Sequence, residues 1–335
     1  MKQFADFPVK HIEQNLVFGT DGTVWAYFHV EGYGYDFRDN EQKKKPFKNQ
    51  MALLTKNQYD LHLLSIPFKM DVTKIIDQTI EEVKRKEYEL KEHGLRYLNA
   101  LRATIKESVY QSDTNQYVSY FGVQLDPKKN VYIDGNQGTK LLASFKQFLK
   151  GINSPVYKAV GLERYDILHS EIQAFKDQAA TIAADLSDAF SSPVRPISTS
   201  EALFLTEYSF SVPGGEYSSS TKIGVDVEGT DYTGRTYQAV RPDRKLFLDL
   251  QSAEVEEYDP KTLRLRKLVD NEIKEQYVQY LVVSRMNTVV SHPGTEWLYR
   301  IQTDLPFPVG TSIRAFYKSN EEIQKNLSNA LLEFE

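Results

Sequence analysis

The sequence has no cysteine, only four methionines and only two tryptophans in 335 residues. Without cysteine there is neither a disulfide framework nor a thiolate metal site, and the expected compartment is a reducing one. Long hydrophobic runs are also missing: no stretch approaches the roughly 18 apolar residues that a membrane span needs. The opening residues, Met1 to Pro8, hold no apolar core and no small-residue cleavage site, so no signal peptide is expected. There is no basic excess either. A net charge of −5 runs against a nucleic-acid binder, whose domains usually carry surplus Lys and Arg. These absences together predict a chain that stays in the cytoplasm, or touches a membrane only from the side.

Catalytic signatures are equally scarce. The stretch Gly135-Asn136-Gln137-Gly138-Thr139-Lys140 invites a phosphate-binding reading. A P-loop needs Gly-x-x-x-x-Gly-Lys and then Ser or Thr, so that backbone amides cradle phosphates and the hydroxyl meets magnesium. Here the glycines stand too close together, the order is Thr-Lys, and Leu141 follows; a turn leading into a helix fits better. His11, His29, His62, His93, His169 and His292 show no ligand spacing, and each reads as a surface or core residue. No Gly-x-Ser-x-Gly elbow occurs. Glu254, Glu256 and Glu257 form an acidic patch, but a catalytic pair needs a partner and a cleft as well. Tyr117, Tyr120 and Phe121 lack the glycine-rich surroundings of an RNA-stacking sheet, and burial is the better reading. No catalytic, cofactor-binding or metal-ligating residue is expected.

What is present is an ordinary globular composition, 41% apolar and 26% charged, at a length suited to about two domains. Leu16-Val17-Phe18 and Val24 to Val30 predict a hairpin turned by Thr20-Asp21-Gly22-Thr23, where Asp-Gly tolerates positive φ. Lys43, Lys44, Lys45 and Lys48 fall in a predicted loop, either a solvated turn or a contact for an anionic membrane or acidic partner. Strands are predicted at Tyr59–Ile66 and Tyr117–Leu125, joined by one long helix. Its apolar stripe runs through Ile76, Ile80, Val83, Leu90, Leu98, Leu101 and Ile105. Helices are also predicted from Gly138 to about Leu149 and from about Leu162 to Phe190. The second carries Leu168, Ile172, Phe175, Ala179, Ile182 and Leu186 in register. Val194 to Ile197 is extended, and Thr199–Phe210 forms a helix capped by Ser198 or Thr199.

Pro213 to Thr221, rich in Gly and Ser, reads as a mobile loop or linker. Strands are expected at Leu246–Leu250 and Thr262–Leu268, flanking a turn near Tyr258-Asp259-Pro260. Glu275–Val283, a short helix at Thr295–Thr303 and Phe307–Tyr317 form a C-terminal strand, helix and strand, with the two strands side by side. Glu321–Glu335 is an uncapped amphipathic helix, expected to continue into a longer protein. The resulting expectation is an α+β fold. It has two strand–helix–strand units, mainly antiparallel sheet, and long amphipathic helices packed on it. Residues 1–212 form a first lobe, 213–242 a linker, and 243–335 a second lobe.

Two segments carry a resemblance. Phe7 to Phe18, followed by the Ala26-Tyr27 strand and Tyr33 and Tyr35, resembles the opening of the VirB-type, TraE/CagE-class conjugation ATPases of type IV secretion. The form in question is the one found on conjugative elements of Gram-positive bacteria. The Tyr277-Val278-Gln279-Tyr280 strand with Leu305 to Ile313 is similar to the segment that family carries ahead of its motor, and Val240-Arg241-Pro242 stands about where a matching triplet would. Residues from about 150 to 238 have no individual match. The resemblance implies an N-terminal region alone, with the Walker motifs, ATP and magnesium belonging to a motor domain absent from this chain. It further implies contacts with channel and membrane subunits, self-association in the motor oligomer, and a place at the cytoplasmic face of the plasma membrane. The alternative is a stand-alone α+β ligand-binding module or an enzyme of unrecognised type.

Overall fold

The computed structural model describes residues 8–31, 39–56, 59–69, 74–111, 115–125, 166–210, 223–230, 234, 236–243, 245–246, 253–269, 271–282 and 309–318. The fold class is α+β, and every strand pairing whose register is described is antiparallel. The chain divides into two compact units: residues 1–63, 120–288 and 313–335, and residues 64–119 and 289–312.

The first unit begins with β1 (Val9–Glu13), β2 (Leu16–Gly19) and β3 (Val24–Val30). The expected β2–β3 hairpin forms with Leu16 opposite Ala26 and Phe18 opposite Val24. Its turn is built as the residues predict. Asp21 Oδ1 accepts from the Thr23 amide at 3.0 Å and from the Thr23 hydroxyl at 2.7 Å, while Gly22 adopts φ +86°. After β3 comes α1 (Asn40–Lys56), then β4 (Leu61–Lys69), β5 (Asn115–Leu125) and, near the end of the chain, β13 (Thr311–Ala315). The sheet order is β1-β2-β3-β5-β4-β13, and β7 (Val194–Pro196) also pairs with β3. β2 and β7 share one edge of β3. At Tyr27 the N–H donates to the Asn15 carbonyl and the C=O accepts from the Ile197 amide.

One face of this sheet is closed by α4 (His169–Phe190). Ile172, Phe175, Ala179, Ile182 and Leu186, the predicted stripe, are buried against Phe18, Val24, Ala26, Phe28, Phe121 and Val123. Phe18 meets Phe175 edge-on at 6.0 Å, and Phe121 meets Phe190 at 5.3 Å. Burying one such side chain contributes about 1.5–3 kcal/mol. The helix starts at His169, not near Leu162. Leu168 belongs to the two-residue β6 (Ile167–Leu168), and residues 162–165 lie outside the described residues. α5 (Thr199–Phe210) opens on a capping box. The Glu201 amide donates to Ser198 Oγ at 3.2 Å, and the Ser198 amide donates to Glu201 Oε2 at 2.8 Å.

Several expectations are corrected. Lys43 to Lys48 is not a loop but part of α1. Asp39 Oδ1 caps the helix by accepting from the Gln42 amide at 2.7 Å, and Pro46 and Leu53 pack inward, which outweighs the hydrogen bond that Pro46 cannot donate. Residues 223–242, inside the expected linker, contain β8 (Gly224–Thr230) and β9 (Thr236–Pro242), which form a sheet ordered β6-β9-β8. Lys245 and Leu246 are helical, and residues 247–250 are outside the described residues. The strand that faces the predicted Thr262–Leu268 strand is β10 (Glu254–Asp259). β10, β11 (Thr262–Val269) and β12 (Glu272–Gln279) form an antiparallel meander. β12 and β13 therefore lie in different sheets, and the expected C-terminal pairing does not form. The predicted helices at 138–149, 295–303 and 321–335 and the Gly/Ser stretch at 213–221 fall outside the described residues.

In the second unit the expected long helix is two: α2 (Lys74–Arg85) and α3 (Lys91–Gln111). They pack on each other, with Ile76 and Ile80 buried and Arg102 Nε 2.8 Å from Asp77 Oδ1. A helical hairpin buries the same apolar positions as one long amphipathic helix, so the stripe alone does not separate the two. Leu90 is the exception. It is 64% exposed and sits in the turn, where the Lys91 amide donates to the Tyr88 carbonyl.

Candidate functional site

The first unit brings chemistry-bearing side chains together in four places. On the sheet face opposite α4, strand alternation aligns Trp25, Tyr27 and His29 of β3 with Tyr120 and Gly122 of β5, His62 of β4 and Arg314 of β13. Tyr27 and His62 share a hydrogen bond, hydroxyl to Nδ1, at 2.9 Å. The Arg314 guanidinium lies 5.2 Å from the Trp25 ring centre and 5.7 Å from that of Phe316, a cation–π sandwich. Gly122 is required here, because a Cβ would stand 2.6 Å from the Tyr27 ring. Burial holds His62 down to about 4, assisted by Arg314, and pushes Tyr27 up to about 12. With these shifts both groups are uncharged at neutral pH. Tyr120 is buried as read, pushed up to about 12 by burial, with His29 edge-on at 5.8 Å.

A second cluster joins β1 to α4. Lys176 Nζ lies 3.0 Å from Glu13 Oε1. His11 is a core residue, 5.8 Å from the Phe18 ring; neither ring nitrogen has a hydrogen-bond partner among the described residues, and burial holds it down to about 4. Lys10 is lowered by burial, and Glu171 in the first turn of α4 is pushed up to about 7 by burial despite the attraction of Lys10. Elsewhere, Asp166 accepts a two-pronged bond from Arg241 at 3.0 and 2.9 Å, fastening β9 to the start of β6. His169 Nε2 lies 3.1 Å from Asp226. His93 is exposed on α3, and His292 and Gly135 to Lys140 are outside the described residues.

The third place is the β10–β12 meander. Register sets Glu256, Arg264 and Tyr277 side by side across the three strands, and Glu254 opposite Arg266. Glu256 Oε2 lies 2.5 Å from Arg264 and 3.0 Å from Arg266, and these guanidinium partners, Arg264 first, hold its carboxyl below its ordinary pKa. The acidic patch is thus one side of a charge ladder. The same face presents Tyr258 edge-on to Tyr277 at 5.0 Å and Leu268 opposite Ile273, all four exposed. Past the last rung, Tyr280, Leu281 and Val282 extend with their side chains in solvent, Val282 89% exposed. The other face turns Leu265 inward and sends Lys267 to Glu207 of α5, a buried ion pair in which Glu207 is 1% exposed.

The fourth place is α1, where Lys44, Lys45 and Lys48 are exposed; the side chain of Lys43 is outside the described residues. Lys44 Nζ reaches Glu41 at 2.7 Å. On the opposite side Asn49 Nδ2 donates to the Asp188 carbonyl at 3.1 Å and to Ser191 Oγ at 3.4 Å, which fixes the helix against the end of α4.

Among the described residues, no group of three or more His, Cys, Asp or Glu side chains is placed to hold a metal ion, and no helix is long and apolar enough to cross a membrane. The pairs missed by reading the sequence, Tyr27 with His62 and Glu207 with Lys267, are joined only by folding. Alternation of Trp25, Tyr27 and His29 along β3 was the one available signal for the first. Together these places lie on an α+β fold of antiparallel sheets and packed helices. No protein-family model matches the chain, and no curated protein matches it.

Proposed function

We propose that the chain is the non-catalytic N-terminal assembly region of a VirB-type, TraE/CagE-class conjugation ATPase of type IV secretion, of the Gram-positive type. In this reading it docks the motor on membrane-associated channel subunits at the cytoplasmic face of the plasma membrane and supports the motor oligomer. The β4, α2, α3 and β5 succession serves as its strand–helix–strand unit. The observation that carries the reading is the β10–β12 meander. An antiparallel sheet with Tyr258, Tyr277, Leu268 and Ile273 exposed around a Glu–Arg ladder, and with Tyr280 to Val282 extended beyond it, is suited to holding a partner protein. Gly135 to Lys140 lacks P-loop spacing, so no residue of this chain is assigned to ATP or magnesium, which belong to the motor domain.

The test is capture by the immobilised chain from detergent-solubilised membranes of cells carrying a conjugative element. Channel subunits identified by mass spectrometry should be retained, and Ile273→Asp with Tyr277→Asp should release them. Retention that ignores those substitutions, or ATP hydrolysis by the purified chain, overturns the reading. The runner-up, a stand-alone ligand-binding module or unrecognised enzyme, draws support from Glu171, an acid pushed up to about 7 beside Lys10. A thermal-shift screen in which one small molecule raises Tm, and Glu171→Gln abolishes the rise, would favour it.

A further inference from the structure

We infer that the outward side of α1 is a contact surface for an anionic lipid membrane. The helix carries five lysines and one glutamate, a local charge of +4 in a chain whose total is −5. At 3.6 residues per turn, Lys44, Lys48 and Met51 fall within about 60° of arc, with Lys45 on one flank and Leu54 on the other. Lys44, Lys45 and Lys48 are exposed, as are Met51 (46%) and Leu54 (55%). The inward side is anchored by Pro46, by Leu53 in the core and by Asn49 on the end of α4. The outward side is therefore held in one orientation.

Lysines interleaved with Met and Leu fit a headgroup boundary: the ammonium groups meet lipid phosphates while the apolar side chains enter the acyl edge. An acidic protein or a nucleic acid would be served by the lysines but gives no role to exposed Met51 and Leu54; single-stranded nucleic acid instead calls for aromatic platforms. Each lysine near an anionic surface contributes about a fivefold gain in binding, equivalent to about 1 kcal/mol. Lys44 shares its charge with Glu41, so three lysines together give on the order of 25- to 100-fold.

The experiment is co-sedimentation of the full chain with vesicles of phosphatidylcholine alone and of phosphatidylcholine with phosphatidylglycerol. Binding is expected only to the anionic vesicles and should fall as salt shortens the screening length from about 10 to about 3 Å. The triple variant Lys44→Gln, Lys45→Gln, Lys48→Gln should lose on the order of 25- to 100-fold. Met51→Ser with Leu54→Ser should weaken binding to the same vesicles without changing its salt dependence. Unchanged far-UV circular dichroism and melting show that the variants remain folded. Equal binding to neutral vesicles, no binding to anionic ones, or an unaffected triple variant overturns the inference. So does lysine-dependent binding of polyglutamate or an oligonucleotide in place of vesicles. The inference stands on α1 alone: vesicle binding by a chain that captures no channel subunit would sink the assembly reading and leave this one intact.

Discussion

Removing Lys267 while keeping Glu207 should be among the most damaging single changes in the first unit. Glu207 is almost fully buried on α5, its Oε1 is paired with Lys267 of β11, and its Oε2 has no partner among the described residues. Lys267→Met strands that carboxylate, and losing one partner of a buried pair costs about 3–5 kcal/mol. Glu207→Leu leaves Lys267 with a shorter path to water, since its side chain keeps 14% exposure, so the loss should be smaller, about 2–3 kcal/mol. The double variant removes both charges and fills the space with apolar atoms; it should recover to within about 1–2 kcal/mol of the parent. Urea unfolding followed by far-UV circular dichroism gives the four free energies of the cycle, and unchanged m-values confirm that the same transition is compared. Additive losses in the double variant, or a Lys267→Met loss below about 1 kcal/mol, would refute the account of this pair as the fastening between meander and helix.

Three further outcomes follow from the described geometry. Gly122→Ala sets a Cβ 2.6 Å from the Tyr27 ring and should cost about 1–3 kcal/mol in urea unfolding as Tyr27 is pushed off His62. Ser198→Ala removes the oxygen that caps α5 and should cost about 1 kcal/mol, read from the unfolding midpoint. In acid, His11 and His62 bind protons at about 6.5 when unfolded but only at about 4 when folded, so their contribution is complete above pH 6.5 and declines between 6.5 and 4. Each has an upper slope of about 1.4 kcal/mol per pH unit. Glu171 works the other way: its folded value of about 7 exceeds the ordinary 4.5, so its contribution is present below 4.5 and lost as pH rises through 7. His62→Phe should flatten the acid side of the stability profile, and Glu171→Gln should steepen it between pH 4.5 and 6.5.

Much of the fold was legible where local chemistry decides it. The Asp21-Gly22 turn, the Ser198 and Glu201 box and the α4 stripe each specify an element within one or two turns of chain. The misreadings share a different cause. Pro46 marks a break by its own chemistry, yet here its ring is buried and the Asp39 cap and core contacts carry the helix past it. A period of 3.6 is preserved through a helical hairpin, so only an exposed Leu90 betrays the turn. β12 has the composition of a strand but nothing in it names a neighbour, and a partner at one end of the chain was no more visible than the partner it has, β11.

The acidic patch shows how register turns composition into structure. Glu254 and Glu256 on one strand and Arg264 and Arg266 on the next read as separate surfaces until the chain reverses at Pro260-Lys261, where Asp259 Oδ1 accepts from the Lys261 amide at 2.7 Å. Once that turn is placed, strand alternation requires both arginines to share a face with both glutamates, and Leu263, Leu265 and Lys267 to take the other. Asn271, at φ +62°, returns the chain a second time and adds Tyr277 to the same row. Glu254 and Glu256 are engaged with Arg264 and Arg266 in cross-strand pairing, and Tyr258, Tyr277, Leu268 and Ile273 share that exposed face with them, beside Glu275 and Gln279. A chain that used this face for chemistry would have to break the ladder first, whereas a chain that used it for docking needs the ladder intact to hold those side chains in line.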